Sequence, residues 1–204
     1  AARLLPGFDA DLVQPVQRKQ AKMGVQHWTK AKALGWDKNA AGRAVVRVEV
    51  TDAAGTSVKT LEVDKILVAV GRKPNSAGLG LETVGLQADT RGFVSADKFL
   101  RTKNANVYAI GDLIGQPMLA HKASKDGEVC AEVIAGHKGA MLDVACIPNV
   151  VYTDPEIATV GPMLQELQAA GTKVKIGKFG FDSFGRAMTA QAPDGFARMI
   201  SDDA

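Results

Sequence analysis

The sequence predicts an α/β fold for most of the chain and an α+β fold for the remainder. Strand-like and helix-like segments alternate over residues 1–146, and this alternation is typical of α/β domains. From residue 147 the order is strand, helix, strand, strand, which is the order of an α+β domain. The chain has 204 residues, of which 46% are hydrophobic. It can therefore bury a core and form one domain, or one domain plus part of another, at about 150 residues per domain.

The first block predicts one helix and then strands. Asp9 can cap a helix that runs to about Met23, where Gly24 stops it, and Pro15 should kink this helix or shift its start. The strands expected next are a short one at 25–30, a β-hairpin of 44–50 and 57–63, and a buried strand at 65–70.

The second and third blocks continue the pattern. A short apolar strand at 107–110 is closed by Gly111 and Asp112, and a helix follows from about Met118 to Ala135, with Gly136 as its stop. The third block predicts a strand at 149–153, a helix at 163–170 and strands at 173–181 and 196–201.

Charge and composition exclude several classes of function. The net charge is +3 with no block of like charges, so neither a nucleic acid nor a membrane is an expected partner. The two cysteines are too few for a disulfide scaffold and fit a reducing cytosol. The three histidines do not stand at metal-ligand spacing with these cysteines, so no metal site is expected.

Asp112 is the first candidate for ligand binding. It ends a predicted strand after Gly111, and ligands of open α/β sheets bind at the carboxyl ends of strands. Gly111 would let a ligand approach the backbone, and an ionised Asp112 could accept hydrogen bonds from ligand hydroxyls. The alternative is that Asp112 only ends a turn.

The start of the following helix is the second candidate. Pro117 is expected in its first turn, where a missing N–H costs nothing. The first backbone N–H groups of a helix lack acceptors within it and can face an anion or a polarised ring. The alternative is an ordinary helix start with His121 on the surface.

Two weaker signals complete the candidates. Gly71 follows the expected strand at 65–70 and could let a nicotinamide dinucleotide pass close to the backbone, or it could belong to a plain turn. Cys130 is expected mid-helix as a buried structural thiol, and Cys146 as a half-exposed one. A redox pair of these two thiols is not expected, because reactive cysteines need close partners.

Several segments together resemble the dihydrolipoyl dehydrogenase family, of the class I pyridine nucleotide-disulfide oxidoreductases. Those that carry the resemblance are NVYAIGD at 106–112, PMLAHKA at 117–123, LVAVGRKPN at 67–75, IP at 147–148 and VYTDPEIA at 151–158. Gly92 and the residues at 179–181 and 183–188 also fit, in order. The resemblance covers essentially the whole chain.

The resemblance implies a domain organisation. Residues 1–75 would be the C-terminal part of a Rossmann-like NAD-binding domain, 76–146 a central FAD-binding segment, and 147–204 the start of an α+β dimerisation domain. It also implies FAD and NAD as cofactors, a homodimer, and the lipoyl domains of a 2-oxo acid dehydrogenase complex as partners. The residues expected to touch the cofactors are Asp112, Gly111, Met118, Leu119, Ala120 and His121 for FAD, with Gly71 and Ala31 for NAD.

The family's redox Cys-x-x-x-x-Cys, its N-terminal FAD motif, its NAD glycine motif and its His–Glu base are not found in this sequence. We therefore expect a fragment of an enzyme that reoxidises dihydrolipoamide, with no catalytic residue here and no turnover by the chain alone. The alternatives are a related flavin disulfide reductase and a stand-alone, non-catalytic nucleotide- or flavin-binding module.

Overall fold

A computed structural model describes residues 1–202, which form two compact units. The first contains residues 1–68 and the described part of 148–204, and the second contains residues 69–147. The helices are α1 (Ala10–Lys22), α2 (Ala120–Ile134), α3 (Leu164–Ala169) and α4 (Gly185–Thr189). The strands are β1 (Ala31–Lys38), β2 (Ala44–Asp52), β3 (Gly55–Val63), β4 (Asn149–Val151), β5 (Ile157–Thr159), β6 (Lys175–Gly180) and β7 (Phe196–Ser201).

Helix α1 forms as expected and continues through Pro15. Asp9 is its N-terminal flanking residue, but the Asp9 side chain does not cap it. The carboxylate instead accepts hydrogen bonds from the backbone N–H groups of Leu164 (2.9 Å) and Gln165 (3.0 Å) at the start of α3. Asp9 thus joins two helices that are far apart in sequence, and the buried guanidinium of Arg198 pairs with the same carboxylate.

The expected β-hairpin is confirmed. Strand β2 pairs with β3 in antiparallel register from Ala44↔Val63 to Asp52↔Gly55. The strand expected at 25–30 is wrong, because these residues form no strand and the strand begins at Ala31. Strand β1 is an exposed edge with an irregularity between Ala33 and Gly35. An exposed edge needs no apolar alternation, so the sequence carried little sign of it.

The C-terminal part of the first unit consists of two antiparallel pairs and short helices. β4 pairs with β5, and β6 pairs with β7. The expected strand at 149–153 is shorter than predicted, while β5 and α4 were not anticipated. The core of this unit comprises Phe8, Val13, Val16, Ile157 and Met163.

The second unit packs around α2. Leu100, Val129, Cys130 and Val133 form its core. The strand expected at 107–110 is reduced to one antiparallel bridge between Arg101 and Tyr108. α2 ends as expected, and the N–H of Gly136 bonds to the carbonyl of Val133.

The buried strand expected at 65–70 is wrong for the chain as described. No regular structure forms there, and Leu67 and Val70 are 91% and 94% exposed. A strand that is buried on both faces needs neighbouring strands, and none of the described strands pairs with this segment. All strand pairs among residues 1–202 are antiparallel. None of the helices described is long and apolar enough to cross a membrane.

Candidate functional site

The Gly111–Asp112 turn lies against α2 in the second unit. A 3₁₀ turn, Gly111–Ile114, contacts this helix, and Gly111 is buried with a φ of +71°. A Cβ added at Gly111 would lie 3.3 Å from the Cβ of Ala123 on the helix. Glycine is therefore required here both by its backbone conformation and by its close packing.

A buried ion pair on α2 holds the same turn. Lys122 Nζ lies 2.7 Å from Asp126 Oδ2, and the two side chains are 2% and 0% exposed. The Gly111 N–H donates to Asp126 Oδ2 (2.8 Å), and Lys122 Nζ donates to the Gly111 carbonyl (3.3 Å). The other carboxylate oxygen, Asp126 Oδ1, is buried, and no described group donates to it. The two charges thus neutralise each other and bind the backbone of one residue.

Asp112 follows this fixed point and is half-buried. Asp112 lies within the turn, next to the hydrogen-bonded Gly111. Its backbone neighbours are therefore held in place, while its carboxylate stays available as an acceptor for the hydroxyl groups of a ligand.

The segment before α2 differs from the prediction in one respect. The helix begins at Ala120 with Leu119 as its N-terminal flanking residue, so Pro117 lies outside the first turn. The expected role of Pro117 as a first-turn residue is therefore wrong. Met118 and Leu119 are half-buried, whereas Ala120 and His121 are exposed. Among the described residues no side chain caps this helix, and the first N–H groups of a helix have no acceptor within it.

The two residues expected to touch NAD lie in different units. Gly71 is exposed with a φ of +123°, and a Cβ there would meet nothing within 4 Å. Only its backbone conformation requires glycine. Ala31 was expected to follow a strand. It is instead the first residue of β1 and pairs with Val50.

The cysteines are both free, Cys130 buried and Cys146 exposed. Burial raises the pKa of the Cys130 thiol, and the Asp126 carboxylate raises it further. The thiolate is the reactive form of a cysteine, and a raised pKa disfavours it. Cys130 is therefore suited to a structural role in the core. Among residues 1–202, no three or more of the His, Cys, Asp and Glu side chains form a group that could hold a metal ion.

Comparison with known proteins identifies the family. Residues 1–127 match the pyridine nucleotide-disulphide oxidoreductases, and residues 147–204 match the dimerisation domain of the same proteins. The chain belongs to the pyridine nucleotide-disulphide oxidoreductase family. This assignment confirms the resemblance and the predicted fold class, an α/β dinucleotide-binding part followed by the start of an α+β dimerisation domain.

Individual family members share the whole length of the chain. It is 40% identical to a dihydrolipoyl dehydrogenase of Geobacillus stearothermophilus, over 98% of this chain and 41% of that protein. It is 42% identical to the enzyme of Thermus scotoductus, over 98% of this chain and 42% of that protein. The chain thus spans about two fifths of the length of these relatives.

Solved structures of the family have the same fold. LpdA from Mycobacterium tuberculosis superposes with a TM-score of 0.85 at 28% identity, over 99% of this chain and 42% of that one. The flavoprotein disulfide reductase RclA from Escherichia coli superposes with a TM-score of 0.83 at 23% identity, over 100% and 45%. At that identity, RclA shows the fold alone.

The sequence predicted Gly111 and Asp112 but missed Lys122 and Asp126. Two opposite charges three or four residues apart on a helix usually form an exposed pair. Lys125 and Glu128 form such a pair on the same helix. The usable signal was the spacing, because it places Lys122, Asp126, Val129 and Val133 on the buried face.

Proposed function

We propose that this chain is an internal or C-terminal part of a dihydrolipoyl dehydrogenase. The observation that carries the proposal is the buried Gly111 turn beside Asp112 and the start of α2, in a chain about 40% identical over nearly its full length to enzymes of that name. The reaction would be dihydrolipoamide + NAD⁺ → lipoamide + NADH + H⁺. In this reaction the dithiol loses two electrons and two protons, and NAD⁺ takes up the equivalent of a hydride.

The residues present fit FAD. Asp112, which follows the glycine turn, offers a half-buried carboxylate acceptor for ligand hydroxyls, and the start of α2 has no side-chain cap among the described residues. When bound, FAD would supply the redox chemistry that passes two electrons from the dithiol substrate to NAD⁺.

Each candidate residue then has a distinct role. Asp112 would hold the ribityl or diphosphate part of FAD, with its carboxylate accepting hydrogen bonds from the ribityl hydroxyls, and Gly111 would allow the close approach. Met118, Leu119, Ala120 and His121 would lie against the isoalloxazine ring. The N-terminus of α2 would stabilise negative charge on that ring by about 0.3–1 kcal/mol.

The proposal extends to the second cofactor and the partners. Gly71 and Ala31 would contact NAD. Residues 1–75, 76–146 and 147–204 would belong to the NAD-binding, FAD-binding and dimerisation domains. A homodimer is supported by the match of residues 147–204 to a dimerisation domain. Lipoyl domains of a 2-oxo acid dehydrogenase complex would deliver the substrate. A cytoplasmic location, or the mitochondrial matrix in a eukaryote, is supported by the two free thiols.

We assign no catalytic residue to this sequence. Cys130 is buried with a raised pKa, so it would neither attack nor relay electrons. The chain's contribution would be to bind and orient the cofactors. Accordingly, we expect the 204-residue chain alone to give no dihydrolipoamide-dependent NAD⁺ reduction.

The test uses the protein expressed from its complete gene. After removal of FAD, titration with FAD should quench flavin fluorescence saturably at one FAD per chain. Asp112→Ala should weaken binding about tenfold or more, because hydrogen bonds to a charged group contribute about 1.5–3 kcal/mol. Asp143→Ala is the control, since Asp143 bonds only its local turn in the same unit. Absence of FAD binding, or of NADH formation from dihydrolipoamide, would refute the proposal.

A further inference from the structure

Gly111 is held through its backbone by two charged side chains of α2. Its N–H donates to Asp126 Oδ2 over 2.8 Å, and its carbonyl accepts from Lys122 Nζ over 3.3 Å. Lys122 and Asp126 are one helical turn apart and bond to each other over 2.7 Å. The three groups therefore form a closed hydrogen-bonded ring between the turn and the helix.

This ring is costly as a purely structural device. Both side chains are almost completely buried, and removing two charges from water costs about as much as their attraction returns. Replacing a buried ion pair by an apolar pair of similar volume is often neutral or stabilising. An apolar pair could not, however, bond either polar group of the Gly111 backbone.

The position of the ring explains what that bonding achieves. Gly111 has no side chain and a φ of +71°, so packing around a side chain cannot fix its conformation. Fixing both of its polar backbone groups fixes the peptide that leads into Asp112. The backbone that carries the Asp112 side chain is then fixed before any ligand arrives, which lowers the entropic cost of binding.

We propose that Lys122 and Asp126 are positioning residues that preorganise the Gly111–Asp112 turn for FAD. This inference rests on the proposed function, because it presumes that Asp112 binds FAD. The pair itself does not touch the cofactor; it acts through the backbone of Gly111. FAD affinity should therefore depend on the hydrogen bonds to Gly111 rather than on the charges of the pair.

Two uncharged variants separate these contributions. Lys122→Met with Asp126→Leu removes both charges and both bonds to Gly111. Lys122→Met with Asp126→Asn removes both charges but keeps an acceptor for the Gly111 N–H. The two replacements of Asp126 have the same number of side-chain heavy atoms, and neither variant leaves a buried charge unpaired. Each is made in the complete protein, stripped of FAD, and titrated with FAD by flavin fluorescence, with thermal unfolding recorded in parallel.

The leucine variant should bind FAD about tenfold more weakly than the asparagine variant, a difference of about 1.4 kcal/mol. The asparagine variant should bind more weakly than the wild type by a smaller factor. The matched control, Lys125→Met with Glu128→Leu, alters the exposed pair on the same helix and should leave the FAD dissociation constant within twofold of the wild type.

The outcomes distinguish the two proposals. A wild-type protein that binds no FAD overturns the proposed function and this inference with it. A wild type that binds FAD, with equal dissociation constants for the leucine and asparagine variants, overturns this inference alone.

Should the leucine variant fail to fold, hydrogen exchange of the Gly111 amide in the FAD-free wild type decides. We expect protection of about a hundredfold or more relative to an unstructured peptide, because the amide donates to a buried carboxylate. An unprotected Gly111 amide would show that the turn is not preorganised, and would overturn the inference.

Discussion

At the scale of single residues, Asp126 is a buried charge with two partners. Its carboxylate is fully buried and is the partner of both the Lys122 ammonium and the Gly111 N–H. Asp126→Ala leaves a buried lysine without a counter-charge, and such changes cost about 3–5 kcal/mol. We expect the free energy of unfolding of the second unit, measured by urea denaturation, to fall by this amount. Glu128→Ala on the exposed face should change it little; equal losses in both variants would contradict this account.

Asp9 should make the stability of the first unit depend on pH. Burial alone raises the pKa of Asp9, but hydrogen bonds from the Gln165 N–H, the Arg198 guanidinium and the Leu164 N–H outweigh it and lower the pKa below 3.8. A carboxyl whose pKa is lowered by folding stabilises the folded state at pH values above its pKa in the unfolded state. This contribution is lost as the pH falls through its pKa in the folded state.

The corresponding variant is Asp9→Asn. Near pH 6 it should be less stable than the wild type by about 2 kcal/mol, the size of a hydrogen bond to a charged group. The difference should shrink as the pH is lowered from 4 toward 2, because the wild-type carboxyl becomes protonated. Thermal unfolding at several pH values measures it, with the exposed Asp64→Asn as control. A difference that is constant over this range would refute the assignment.

The sequence predicted the ligand-facing residues better than those that hold them. Asp112 and Gly111 were identified because a Gly-Asp pair after an apolar segment predicts a turn at a ligand edge. Lys122 and Asp126 could not be distinguished from Lys125 and Glu128 by composition. What separates the two pairs is burial, 2% and 0% exposed against 55% and 66%, and burial depends on the tertiary packing of α2.

At the scale of elements, the packing of the Gly111 turn on α2 can be tested by adding one methyl group. Gly111→Ala places a Cβ 3.3 Å from Ala123 Cβ at a φ of +71°. Gly136→Ala creates nearly the same backbone strain, at φ +77°, with nothing within 4 Å. Each should lose about 1–2 kcal/mol of stability from the left-handed conformation.

Only Gly111→Ala should also displace the turn from the helix. We therefore expect it to weaken FAD binding about tenfold in the complete protein, while Gly136→Ala binds FAD like the wild type. Titration by flavin fluorescence measures both. A similar loss of affinity in the two variants would attribute the effect to general destabilisation rather than to the turn.

Local pattern predicted the elements that are stabilised locally. The β2–β3 hairpin has alternation and a turn in which the Asp52 side chain accepts from the Ala54 N–H, so neighbouring residues determine it. α1 and α2 have helical spacing and glycine stops. The segment at 65–70 has an apolar pattern too, but a strand needs partners, and none of the described strands lies beside it. The sequence pattern predicted that this segment is apolar, but it could not predict whether another strand pairs with it.

At the scale of the whole molecule, the β6–β7 hairpin has two unequal faces. Alternate residues of a strand point to opposite sides. Arg198 lies on one face and pairs with Asp9 and Asp11 of the same unit. Phe179 and Met199 lie on the other and are 52% and 79% exposed. An apolar face of this kind, in a segment matching a dimerisation domain, fits burial against a second copy of the chain.

Met199→Lys should therefore weaken dimerisation of the complete protein. Burying a methionine side chain contributes about 1.5–3 kcal/mol, and a two-fold interface loses the contribution of both copies. The dimer dissociation constant should rise a hundredfold or more, measured by sedimentation velocity over a range of concentrations. Trp36→Lys is the matched control, because Trp36 is 53% exposed on β1, outside the dimerisation segment. A dimer that survives Met199→Lys, or that dissociates equally with Trp36→Lys, would place the interface elsewhere.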